Sequence, residues 1–174
     1  MGPLVRPEAL LLDFGGVIAE GTKRPQWVAE LAAEVHESLV RAGSRGLTAE
    51  EIEVDIRAAA DADRAWKDAM SRPYAPREMT HRRFWAGFVA ADWPPAARAL
   101  VTAHASALCK RMGQLRRTHR LRPGITGLLA AAWEHDTPPA VVSNALCGAV
   151  HRDFIAAAGL GRQAVAAPAP EPWS

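Results

Sequence analysis

Cysteine is nearly absent from this chain. Its 174 residues include Cys109 and Cys147 alone, in no metal-ligand spacing and too few for a disulfide framework, which points to a reducing, cytoplasmic setting. Lysine is almost as scarce, with Lys23, Lys67 and Lys110 only, so arginine carries most of the positive charge. Neither sign of charge is in excess: 21 basic against 19 acidic residues leave a net +2, short of the asymmetry expected of a nucleic-acid binder. Long apolar runs are also missing. The early run Ala9 to Leu12 is brief, and no later one approaches the roughly 20 residues of a membrane span. Met1-Gly2 opens like an acylation site, but Arg6 stands where Ser or Thr is required, so no membrane anchor is expected. What remains is the composition of a globular protein, 49% hydrophobic and 23% charged, at a length that suits one domain with or without an insertion.

The first informative segment is Ala9-Leu10-Leu11-Leu12-Asp13-Phe14-Gly15-Gly16-Val17-Ile18. Its apolar run lacks alternation and ends in a carboxylate and a glycine pair, which predicts a strand buried on both faces of a parallel sheet and then a turn. A helical stretch follows. Trp27, Leu31, Val35 and Leu39 recur every four residues between Pro25 and Ala42, and Gly43 stands where a left-handed cap belongs. Thr48-Ala49-Glu50-Glu51 is a capping box, with Leu47 and Ile52 spaced as its hydrophobic staple, so a second helix is expected to about Met70. Thr80 caps a third helix carrying Phe84, Trp85, Phe88 and Val89. A fourth starts at Pro94-Pro95 and carries Leu100, Val101, Leu108 and Met112.

Beyond Arg122-Pro123-Gly124 the pattern changes. A helix is predicted from Ile125 to His135, a short strand over Ala140-Val141-Val142 ending in Ser143-Asn144, and a helix from about Leu146 to Ala158 before Gly159. The order of strand, helical insert, helix, strand and helix is that of an α/β protein. Ligands of parallel sheets lie beyond the carboxyl ends of the strands, so Asp13 and Ser143 are expected at one edge although 130 positions separate them.

The Asp13-Phe14-Gly15-Gly16-Val17 strand end, the helical insert after it and the later strand ending in Ser143-Asn144 together resemble the haloacid dehalogenase-like hydrolases with a helical cap, over roughly residues 8–162. The resemblance implies a partial Rossmann-like parallel-sheet core from 1–20 and 118–163, an inserted four-helix cap at 21–117 and a disordered tail at 164–174. It makes Asp13 the nucleophile of a phosphatase or dehalogenase, forming a covalent aspartyl intermediate that water cleaves. Ser143 and Asn144 become the groups that hold the transferring group. Mg²⁺ would be held by Asp13 and the Gly15 carbonyl, and the substrate would be a small anionic or halogenated molecule.

The chain departs from the family in two places. Gly15 occupies the position of the second aspartate, which serves as general acid and base, and glycine moves no proton. The family's later lysine and acidic metal-binding motif have no counterpart, since no lysine follows Lys110 and only Glu171 is acidic beyond Asp153. The resemblance thus implies a shortened member whose first strand is an open edge, suited to a homodimer that covers it. The alternative is a catalytically inactive binding or assembly protein. Other candidates have plainer readings. Trp66, Phe84, Trp85, Phe88 and Trp93 are expected in the core of the cap. Trp27, near the cap hinge, is a candidate to face a cleft. The cluster of Lys110, Arg111, Arg116, Arg117, Arg120 and Arg122 reads as a solvated helix end and hinge rather than a nucleic-acid surface. His36, His81, His104 and His151 show no metal spacing, Cys147 reads as a small buried thiol, and Ser143-Asn144 also reads as a helix N-cap.

Overall fold

The computed structural model describes residues 7–161 and the backbone of 165–166. The protein mixes helices with a small parallel sheet, and the chain divides into two compact units. One comprises residues 1–22 and 118–174, the other Lys23–Arg117.

In the first unit, β1 (Leu10–Asp13), β4 (Pro139–Val142) and β5 (Val165–Ala166) form a sheet in the order β1-β4-β5. Both pairings are parallel, and the β1–β4 register sets Leu12 opposite Val141 and Asp13 opposite Val142. The connections between these strands carry α6 (Ile125–Glu134) and α7 (Gly148–Ala157). One face of the sheet supplies the core: Leu12 and Val141 join Ile125 and Leu129 of α6, Ile155 of α7, and Phe14, Ile18 and Leu160.

The other face differs from the sequence reading. Leu11 is 67% exposed and Val142 53%, so β1 is buried on one face, not two. Its apolar run ends at an edge strand, and the two helices that follow in the chain pack on the side of Leu12 and Val141. The Val165–Ala166 pairing also replaces part of the expected tail with ordered strand. Residues 164 and 167–174 of that tail lie outside the described residues.

Two further strands were not anticipated. β2 (Ala19–Lys23) and β3 (Arg117–Leu121) form a two-stranded sheet where the chain passes between units. Residues 117–121 are therefore extended rather than the end of a helix, because the partner strand at Ala19–Lys23 satisfies a backbone that local sequence left uncommitted.

The second unit is helical. α1 (Trp27–Arg41) buries Val28, Leu31, Ala32, Val35 and Leu39, and Gly43 closes it at φ +81°. α2 (Ala49–Met70) begins with both halves of the Thr48–Glu51 capping box and buries Ile52, Ile56, Ala59 and Ala60. The third helix is shorter than its pattern predicts: α3 covers His81–Arg83 and passes into a π-helical stretch, Phe84–Val89. There the Ala90 N–H reaches back to the Trp85 carbonyl at 2.8 Å, and Phe84, Trp85 and Val89 are all buried. The fourth is broken at His104 into α4 (Pro95–Ala103) and α5 (Ala105–Arg116). One buried stripe of Ala97, Val101, Ala105, Cys109, Met112 and Leu115 runs through the break, so both pieces serve one core. Phe84, Trp85 and Trp93 are in that core, while Trp66 and Phe88 are half-buried at its margin.

Candidate functional site at the strand ends

Asp13 is the last residue of β1 and its side chain is exposed. The Phe14 N–H donates to its Oδ1 at 2.7 Å, which orients the carboxylate. The turn that follows is tightly held. Ile18 and Ala19 N–H both donate to the Phe14 carbonyl, at 3.1 and 3.0 Å, and Gly16 N–H donates to the Ala19 carbonyl at 2.9 Å. Gly16 sits at φ +79°, a conformation that suits glycine. From the return strand side, the Arg122 guanidinium donates to the Gly16 carbonyl and its backbone N–H to the Ile18 carbonyl. Arg120 pairs with Glu20 at 2.7 Å, and Arg122 approaches the same carboxylate at 3.7 Å. The hydrogen bond and charge of Arg120, with a smaller contribution from Arg122, hold the Glu20 carboxyl below its usual range against a desolvation that opposes them.

Across the β1–β4 pair, Ser143 and Asn144 follow Val142, the register partner of Asp13. Both are exposed and lie in the loop before α7, where the Ala145 N–H donates to the Ser143 carbonyl at 3.1 Å. The structure therefore brings Asp13 and Ser143 to neighbouring carboxyl ends of parallel strands. It does not make Ser143 or Asn144 a helix cap. α7 begins at Gly148, and its N-cap is Cys147, which makes no side-chain capping bond. The intervening loop puts the capping position at Cys147, beyond the Ser143-Asn144 pair of the sequence reading, and Cys147 is half-buried rather than fully buried.

No protein-family model matches the sequence, and no curated protein does. The chemistry of the site therefore rests on its own residues.

Sequence reasoning missed the support beneath Asp13. Phe14 is 1% exposed and lies among three rings: His151 stacked at 3.7 Å, His119 edge-on at 5.3 Å and Phe154 edge-on at 5.6 Å. Burying Phe14 anchors the turn and so fixes the N–H that holds Asp13. Burial pushes the His151 imidazole below its usual pKa, the neighbouring His119 adds to that, and Asp13 opposes it. Its Nδ1 is buried with no hydrogen-bond partner among the described residues. A signal existed in the sequence: His151 and Phe154 share the side of α7 that carries Val150 and Ile155, an i, i+3, i+4 pattern.

A Mg²⁺ held by the expected donors would be weakly bound. Asp13 and the Gly15 carbonyl offer two oxygens, and among the described residues no group of three His, Cys, Asp or Glu side chains is placed to hold a metal ion. Nor does any described helix have the length and apolarity to cross a membrane. The basic cluster disperses between partners. Arg111 is bidentate to Glu34, at 2.8 Å from Nε and 2.6 Å from Nη2, which holds Glu34 below and Arg111 above their usual pKa values. Arg120 and Arg122 serve the turn described above, and Arg116 lies over the Trp27 ring at 5.5 Å.

Proposed function

We propose that the chain is a haloacid dehalogenase-like hydrolase with a Rossmann-like core, a helical cap at Lys23–Arg117, and Asp13 as nucleophile. One observation carries the reading: the parallel register of Asp13 with Val142, which sets an exposed carboxylate beside the strand end bearing Ser143 and Asn144. Oδ1 is taken by the Phe14 N–H, so Oδ2 is the attacking oxygen. It forms a bond to the electrophilic phosphorus or carbon while the leaving group departs with its electron pair. Ser143 and Asn144 donate hydrogen bonds to the transferring group. Water then cleaves the aspartyl ester and restores the carboxylate.

Two protein oxygens alone would hold Mg²⁺ weakly, which favours an electrophile whose attack by a carboxylate meets little anion repulsion, such as a halogenated carbon. Water must surrender a proton that Gly15 cannot take. On this reading the proton passes to solvent water. A cytoplasmic location belongs to the same reading. So does a homodimer that covers β1, supported by the edge position of that strand and the exposure of Leu11.

The test is turnover of a chlorinated carboxylic acid and of a generic phosphate ester by the purified chain, with and without Mg²⁺. Asp13→Asn is expected to abolish whatever hydrolysis the parent shows. Equal turnover by parent and variant overturns the assignment. A second reading, a non-catalytic binding or assembly protein, draws on Gly15 at the proton-transfer position. A parent inactive on both substrates and dimeric in sedimentation favours it.

A further inference from the structure

Within the helical unit, α1 meets α4 and α5 around a cavity of about 310 Å³, at the lower end of the range for small-molecule sites. Its walls are mostly apolar, with Val35 from α1, Leu100 and Val101 from α4, and Leu108 from α5. Val35 and Val101 are buried. Leu100 and Leu108 are only half-buried, so two leucines that line the cavity keep apolar surface open to solvent. Polar side chains enter at Ser38 and Arg41 on α1 and at His104, where α4 breaks into α5.

Arg41, the last residue of α1, folds back along its own helix. Its Nε donates to the Glu37 carbonyl at 3.3 Å and its Nη2 to Ser38 Oγ at 3.4 Å, while Ser38 Oγ donates to the Glu34 carbonyl at 2.9 Å. Both partners of the guanidinium are neutral oxygens. Arg24, Arg57 and Arg64 each hold a carboxylate, whereas Arg41 forms no ion pair among the described residues, and no acidic side chain among them lines the cavity. A cation is thus placed beside apolar walls with N–H groups to spare, which complements a ligand that is aliphatic at one end and anionic at the other.

We propose that this cavity binds a free medium-chain carboxylic acid. The carboxylate pairs with Arg41, which Ser38 and the Glu37 carbonyl hold in place, and the alkyl chain covers Leu100 and Leu108 and lies against Val35 and Val101. A single guanidinium fork matches the two oxygens of a monoanion, and the lining supplies no second arginine or lysine for a phosphate dianion. The site is separate from Asp13, and the proposal does not depend on Asp13 being a nucleophile.

The experiment is calorimetric titration of the full chain with octanoate at neutral pH and low ionic strength. Saturable binding is expected, about tenfold weaker for hexanoate, which lacks two methylenes. Octylamine, which places a cation where the carboxylate belongs, is expected not to bind. Arg41→Gln, at an exposed position, is expected to weaken octanoate about tenfold or more, and Leu108→Gln to weaken it as well. Should the leucine variant fail to fold, the arginine variant still decides. Asp13→Asn is expected to bind as the parent does. Absence of saturable binding by the parent, parent-like binding by Arg41→Gln, octylamine binding as tightly as octanoate, or loss of binding in Asp13→Asn each overturns the proposal. A dimer in sedimentation that Arg41→Gln dissociates and octanoate does not would mean that a second copy covers the cavity, and overturns it too.

Discussion

The rings of Phe14 and His151 lie nearly parallel, 3.7 Å between centroids and 10° between planes. The stack joins the residue after Asp13 to the first turn of α7, so a titrating side chain supports the turn that orients the candidate nucleophile. Burial, with a smaller contribution from His119, lowers the pKa of that imidazole.

Stability is accordingly expected to depend on pH through His151. Its folded pKa lies below the ordinary 6.5, so on acidification the unfolded chain takes up the proton first. The contribution is complete above about pH 6.5 and is lost as pH falls through the lower folded value. His151→Phe preserves an aromatic stack and has no proton to bind. Urea midpoints measured above neutrality and in mild acid should fall less steeply for this variant than for the parent, and equal slopes would refute the argument.

Gly15 and Gly16 should respond oppositely to substitution. A Cβ at Gly15 meets nothing within 4 Å and its φ is ordinary, so Gly15→Ala is expected to be nearly neutral. Gly16 has equal space but sits at φ +79°, so Gly16→Ala should cost about 1–2 kcal/mol in denaturant unfolding. The same open space admits Gly15→Asp. On the proposed hydrolase reading, restoring a proton-transfer carboxyl there should raise initial rates by about a hundredfold.

The sheet's two faces predict a second contrast. Leu129 is fully buried against Leu12 and Val141, and Leu129→Ala should destabilise by about 2–5 kcal/mol. Leu11, only one residue from Leu12, is largely exposed in the single chain, so Leu11→Ala should change stability by about 0.5 kcal/mol or less at concentrations too low for a dimer. Chemical denaturation of both variants checks the pair, and a similar cost for each would mean that Leu11 is covered.

Much of the helical unit was legible locally. The four-residue recurrence from Trp27 to Leu39, the glycine at position 43 and the reciprocal bonds of Thr48 and Glu51 all act within a turn or two of the chain. The π-helical stretch and the break at His104 were not legible, because both depend on how Phe84, Trp85 and the Ala97-to-Leu115 stripe meet other helices. β2 and β3 escaped for a related reason: Ala19–Lys23 and Arg117–Leu121 have no strong alternation and are strands through their pairing. The missed support of Asp13 was a matter of distance along the chain. His119 and His151 reach Phe14 from separate elements, and no spacing rule relates them.

By itself, the amino-acid order determined where α1 and α2 begin and end, which residues are apolar, and that a carboxylate and a hydroxyl each terminate a short apolar run. Those properties arise from backbone conformations and capping bonds between near neighbours. Tertiary structure alone decided that β1 is an edge among the described strands with Leu11 exposed, that Phe14 stacks on the His151 ring, and that side chains of α1, α4 and α5 converge on one cavity. Each of those outcomes depends on contacts between remote segments, whose energies exist only once packing has brought the segments together.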